Sequence, residues 1–493
     1  MGRDIQSTTY SREQRQLFRE KVQRCLDVFE QMLATASFEF AEPMVGMEIE
    51  LNLVDRDYQP RMDNADVLAA IADPEYQTEL GLFNIEFNVS PRPLTGRAIV
   101  DLERDLRASL NEAERRSAER GTHIMMIGIL PTVMPETYQG DWMSANARYA
   151  ALNDAVLAAR GEDIHLDIAG LSGEHLNRYA DSLAPESACT SMQLHLQVQP
   201  SEFAGYWNSA QVLAGPQLAL GANSPYFMGH ELWAETRIEL VTQATDTRPV
   251  ELRNQGVRPR VFFGERWITS IFDLFEENAR YFPALLPELD PEDPQAVLDA
   301  GDTPKLAEMR LHNGTIYRWN RPIYDIVAGR PHLRVENRVL PAGPTIVDTL
   351  ANAALYYGAV RMLAQDDRPV WTRMAFGTAA ENFRSGARQG IDATLFWPGR
   401  GEIPASELAL RYLVPLAHEG LIQYGVDSAV RDRLLGIVEA RCLTGQNGAD
   451  WQVATVRRLE ERGLSRRAAL REMVAAYATN MHANEPVHTW QVP

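Results

Sequence analysis

Four stretches of this chain place chemically capable side chains at every second position. Residues 44–55 (MVGMEIELNLVD) alternate Glu48, Glu50 and Asn52 with Val45, Met47, Ile49, Leu51 and Leu53. Residues 82–91 set Asn84, Glu86 and Asn88 against Phe83, Ile85, Phe87 and Val89. Residues 191–200 set Gln193, His195 and Gln197 against Met192, Leu194, Leu196 and Val198, and residues 332–341 set Arg334, Glu336 and Arg338 against Leu333, Val335 and Val339. A period of two is that of a strand with one apolar and one polar face. Half-exposed antiparallel sheets also alternate, but a merely solvated face mixes Lys, Thr and Glu. These faces carry carboxylates, amides, one imidazole and arginines. Glu48 and Glu50 would stand about 6.5–7 Å apart on one face, where like charges repel unless a cation sits between them. Oxygen ligands with an occasional imidazole suit Mg²⁺ or Mn²⁺, and arginines beside Glu336 suit phosphate or carboxylate.

The elements that must position these groups are mixed. Helical spacing of Leu17, Val22, Leu26, Phe29 and Leu33 predicts a helix over 11–35, and a charged helix is expected over 97–120, stopping at Gly121. Short alternating segments that do not interleave regularly with helices favour α+β with an antiparallel sheet over a doubly wound fold. Residues 283–305 read as a surface excursion. From about residue 345 the pattern is helical: 346–365, 405–423, 427–441, 450–463 and 465–480. The Pro/Gly-rich stretch 397–404 is the expected junction before the last block. This divides the chain into an N-terminal helix (1–40), a catalytic unit (41–365) and a mostly helical C-terminal extension (366–493).

Composition excludes other classes. The chain has 493 residues, and 48 Lys+Arg against 67 Asp+Glu leave a formal charge of −19, which disfavours nucleic acid or an anionic membrane as partner. Lys21 and Lys305 are the only lysines and neither precedes Ser or Thr, so no P-loop is present. Cys25, Cys189 and Cys442 are odd in number and scattered, as reduced thiols are. The start, MGRDIQSTTY, lacks a signal-peptide core and the myristoylation pattern. The longest apolar run, 123–134, falls short of the ~20 residues a membrane helix needs. The expectation is a cytoplasmic protein.

With these residues in view, the chain resembles the glutamate–cysteine ligase family, carboxylate–amine ligases of glutamine-synthetase-like fold. The likeness runs from about residue 44 to 358. It is carried by GMEIEL (46–51), IEFNVSP (85–91), QLHLQV (193–198), ANSPYFMG (222–229), GTIYRWNRP (314–322) and VENRVLP (335–341), in that order. The resemblance implies a curved sheet funnel with a polar ligand-binding face and helices behind it. It further implies metal ligands at Glu48, Glu50, Glu79, Glu86, His195 and Glu336, with Glu79 standing where aspartate is common. Arg338 would stabilise a transferring phosphoryl group, with Glu86 beside it in the catalytic set. Arg318 and Arg321 are candidates for phosphate or the substrate α-carboxylate, and Asn223 and Arg237 for the substrate end. The implied reaction uses ATP and Mg²⁺ (or Mn²⁺). The γ-carboxylate of glutamate attacks the γ-phosphoryl group, and an amine, cysteine's in the parent activity, then displaces phosphate. Other acid and amine substrates within the family remain open, as does a nucleotide-binding scaffold whose C-terminal helices dock a protein partner.

Overall fold

The alternating stretches become strands of one antiparallel sheet in the computed structural model, which describes residues 10–35, 38–40 and 42–493. The first nine residues, with the reading made of them, lie outside that set. In chain order the strands are β1 (Met44–Val54), β2 (Tyr76–Thr78), β3 (Asn84–Pro93), β4 (His123–Met125), β5 (Met192–Gln197), β6 (Asn320–Val327) and β7 (Arg330–Asn337). They lie in the order β6–β7–β5–β1–β3–β2, with β4 pairing the far end of β1, and curl into a half-barrel. The expected α+β class and curved funnel are what the structure shows.

Register, more than strand order, builds the polar face. Glu50 lies opposite Glu86 and Glu48 opposite Asn88 on β3. Glu48 also lies opposite Gln193, and Gly46 opposite His195, on β5. His195 is level with Glu336 on β7, and Glu336 with Arg321 on β6. A bulge in β3, opposite Val45–Met47, lies just before both glutamates of β1.

The opposite face is apolar. Ile49, Leu51, Leu53, Ile85, Leu194 and Val335 are fully buried beneath the helices Phe203–Gly221 and Ile346–Ala364. These two helices are buried along nearly their whole length, because a second helical layer covers them. The helix Phe376–Gln389 crosses Phe203–Gly221 where a Cβ on Gly386 would lie 2.3 Å from Gly215 O. The helix Val414–Gln423 crosses Ile346–Ala364 where a Cβ on Gly420 would lie 2.0 Å from Gly358 O. Only glycine permits backbones so close. Asp348 adds a buried ion pair, accepting from Arg441 at 2.8 Å and from the Val487 backbone at 2.9 Å. Residues 366–493 thus share a continuous apolar core with the sheet.

Two local expectations change. Residues 397–404 are no open junction: Thr394–Trp397 and Gly401–Pro404 form a hairpin, turned by Gly399 and Gly401 at φ +76° and +72°. The 283–305 excursion is anchored, with Leu285, Leu286 and Asp290 buried, and it carries the short helix Pro294–Asp299. The expected N-terminal helix spans Arg12–Thr35 and docks on this region, Lys21 pairing with Glu308 at 3.3 Å. Among the described residues no helix is long and apolar enough to cross a membrane.

Candidate active site

Six ligand-type side chains of the polar face gather into two trios. Glu50, Glu79 and Glu86 form one; Glu48, His195 and Glu336 form the other. Within each trio, one ligand atom from every residue lies within 4.8 Å of the others. Adjacent odd and even positions of a strand face apart, so Glu48 and Glu50 share a face while serving different trios.

The first trio carries the charge problem that the spacing of its residues predicts. Burial, with Glu86 and Glu50 adding repulsion, lifts the Glu79 carboxyl well above its ordinary range. Burial and the Glu48 charge raise Glu86 to about 7. Burial also raises Glu50, although Arg338 and the Ser191 N–H oppose it. Glu50 is oriented by the Ser191 N–H at 2.5 Å and by Gln193 Nε2 at 2.9 Å, and Glu86 by Asn88 Nδ2 at 2.7 Å. Three carboxylates held this close share protons unless a cation replaces them.

In the second trio the charges are set differently. Burial pushes Glu48 up, but His195 more than offsets it and the carboxyl falls to about 2. Glu336 is fully buried, yet Arg321, Arg338 and His195 hold it well below the usual carboxylate range. Arg321 grips it with two hydrogen bonds of 2.8 and 2.9 Å. Arg338 donates to the same carboxylate and, at 2.6 Å, to Gln193 Oε1. His195 accepts from Arg334 Nε at Nδ1, 3.0 Å away, while its buried Nε2 has no hydrogen-bond partner and stands 3.1 Å from Glu48 Oε1. An orphaned imidazole nitrogen among oxygen donors, beside a trio whose carboxylates repel, fits a pair of hard divalent cations.

The five glutamates of the trios line a cavity of about 770 Å³, within the range of small-molecule sites. Arg237 also lines it, held by Glu235 at 2.9 Å. Two expected site residues lie elsewhere. Arg318 is buried, bonded to Glu277 and Asn278 at 3.1 and 3.0 Å with Phe262 against its guanidinium, and it does not line the cavity. Asn223 donates to Tyr477 Oη and the Ala342 carbonyl, both at 2.8 Å, and accepts from Gln452 at 2.8 Å. That ties the sheet unit to the C-terminal helices; it does not line the substrate end. The structure also adds lining residues that alternation could not show: Arg148 and Tyr149 from the helix Ala147–Arg160, Glu186 from a one-turn helix, and Arg310. Gln193 and Arg334 were visible on the polar faces, but not their parts as orienting groups.

The chain matches glutamate-cysteine ligase family 2 over residues 44–476, well past the likeness legible to residue 358. No curated protein sequence matches it. Among solved structures it is similar to a glutamate–cysteine ligase from Francisella tularensis in complex with AMP. Identity there is 12%, with 93% of this chain and 91% of that one covered and a TM-score of 0.56. It is similar also to a bifunctional glutathione synthetase from Pasteurella multocida, at 12% identity and TM-score 0.51, covering 93% of this chain but 55% of that one. At this identity the structural likeness speaks for the fold. The family match spans most of the chain, strands and second-layer helices together, and the chain belongs to the glutamate-cysteine ligase family 2, a family of ATP-dependent carboxylate–amine ligases.

Proposed function

We propose that this protein is a glutamate–cysteine ligase, joining the γ-carboxylate of glutamate to the amine of cysteine through an acyl phosphate. The observation that carries the reading is Arg338, bonded to Glu336 in one trio and Gln193 beside the other, and so poised between the two. A phosphoryl group passing between nucleotide and carboxylate needs positive charge at its equatorial oxygens and little covalent help. Arg338 supplies a guanidinium there, already ordered. Glu50, Glu79 and Glu86 would hold one Mg²⁺ (or Mn²⁺), and Glu48, His195 and Glu336 another. Bound cations neutralise charge on the phosphate oxygens and make the phosphorus more electrophilic. Gln193 and Ser191 keep Glu50 aimed, Arg321 keeps Glu336 ionised, and Arg237 offers a fixed cation to a substrate carboxylate. The cavity walls limit water, which would otherwise hydrolyse the acyl phosphate. The AMP seen in the Francisella tularensis relative supports ATP as the nucleotide.

The test is phosphate release from ATP and Mg²⁺ screened across amino-acid pairs. Glutamate with cysteine should give ADP, phosphate and a γ-glutamyl amide. Turnover with a different pair, and none with this one, would assign another acid or amine to the same site. Absence of turnover with every pair, joined to a melting temperature that ATP and Mg²⁺ leave unmoved, would remove the ligase reading altogether.

A further inference from the structure

The cavity holds one acid that the ligase scheme leaves unused. Glu186 opens the single turn Glu186–Ala188, in the loop between the hairpin strand His175–Ala180 and β5. The loop is fixed: Leu183 N donates to Asn153 Oδ1 at 3.0 Å, Ser187 Oγ to the Ala184 carbonyl at 2.7 Å, and Cys189 N to the Glu186 carbonyl at 2.9 Å. The Glu186 side chain lines the cavity and, among the described residues, has no hydrogen bond or ion pair. The other cavity acids are committed. Five glutamates serve the two trios, Asp325 pairs with Arg310 and Arg334 at 2.5 and 3.1 Å, and Asp290 accepts from the Glu292 N–H at 3.0 Å.

The charges of Glu50 on β1 and Arg338 after β7 act on Glu186, and its own charge acts on Glu79, Tyr138, Tyr149 and Cys189. With the trios holding their cations, Glu186 is the cavity carboxylate left, among the described residues, to attract a cationic group. Amide formation has one cationic reactant, the amine, which is an ammonium near neutral pH and must lose a proton before its lone pair can attack. We propose that Glu186 binds the ammonium form of the amine substrate and takes its proton as the acyl phosphate is attacked. The proposal rests on the ligase reading. The nitrogen lone pair forms the C–N bond, one ammonium proton passes to the Glu186 carboxylate, and the C–O bond to the phosphoryl group breaks with its electron pair on phosphate. The second proton leaves with that phosphate, and the amide keeps the third.

Hydroxylamine, largely unprotonated at neutral pH, needs no such base. Wild-type, E186Q and E186D proteins are compared with glutamate, ATP and Mg²⁺, using either hydroxylamine or the amine that wild type turns over fastest. E186Q should lose about 100-fold in kcat with the amine and far less in hydroxamate formation, and E186D should recover part of the loss. Equal losses with both nucleophiles, or no loss with the amine, overturn the role of Glu186 while leaving the ligase reading intact. Wild-type protein that forms neither hydroxamate nor amide overturns both.

Discussion

Arg321 on β6 and Glu336 on β7 face each other across the sheet and are joined at two points, Nε to Oε2 at 2.8 Å and Nη2 to Oε1 at 2.9 Å. Such a fork fixes the angle of the carboxylate as well as its charge. Without it Glu336 would keep Arg338 alone, and that arginine is the one poised between the trios. R321A should therefore raise the Mg²⁺ requirement and lower turnover by about 10–100-fold, as loss of an orienting partner does at metal sites. Lysine cannot reproduce the fork, so R321K should recover little. Steady-state phosphate release against Mg²⁺ concentration measures both.

Protons and cations should compete in the first trio. Glu86 is raised to about 7 by burial and Glu48, and Glu79 is raised further, whereas an unfolded glutamate titrates at about 4.3. Between these values the folded state holds protons that the unfolded state has released, so without metal the contribution of this trio to stability falls as pH rises. Mg²⁺ takes the place of those protons. Its stabilising effect should be larger near pH 7.5 than near pH 5.5, read as the melting-temperature shift on adding Mg²⁺. An equal shift at both pH values would contradict the shared-proton picture.

The crossing of Gly358 and Gly420 sets how near the second layer of helices can come. A methyl group on Gly420 meets the Gly358 carbonyl at 2.0 Å, and both neighbours are helix backbone that cannot rotate aside. G420A should lower stability by about 1–3 kcal/mol through overpacking, seen as a lower urea midpoint at unchanged m value.

Asn223 separates a structural role from a binding one. N223A removes the donor to the Ala342 carbonyl and Tyr477 Oη and the acceptor of the Gln452 amide, all buried, at a cost of about 1–3 kcal/mol. Its KM for ATP should stay at the wild-type value. A large rise in that KM without loss of stability would return Asn223 to the substrate site.

The part of the site visible in the sequence is the part built on strands. A strand writes its two faces into consecutive letters, so Glu48, Glu50, Glu86, His195, Glu336 and Arg338 could be picked out from alternation once several strands agreed. Register supplies the rest, and register is tertiary: nothing local says that Glu336 lies opposite Arg321 or that Glu79 joins Glu50. Arg318 shows the converse failure. It stands three positions before Arg321, an odd spacing that turns the two side chains to opposite faces of extended chain, so the likeness of RWNRP to a binding motif concealed a parity that excludes one of them. Glu186 and Arg148 sit on a single turn and a helix, which loop closure brings to the cavity; no periodicity marks them. The helix Phe203–Gly221 escaped because it is buried on all sides and so lacks an amphipathic stripe.

The bulge opposite Val45–Met47 places Ser90 and Pro91 of β3 against Gly46, while β1 itself runs on unbroken to Glu48 and Glu50. Because Glu48 and Glu50 are alternate residues of β1, the spacing at which they leave the strand is the backbone's own repeat, about 6.5–7 Å, rather than a product of loop conformation. The strand is in effect a ruler, its marks running without a break from Val45 to Ile49. A slip of β1 by one residue against its neighbours would carry Met47 and Ile49 into the cavity and both glutamates into the apolar layer. Lengthening the surface loops, by contrast, leaves that spacing untouched.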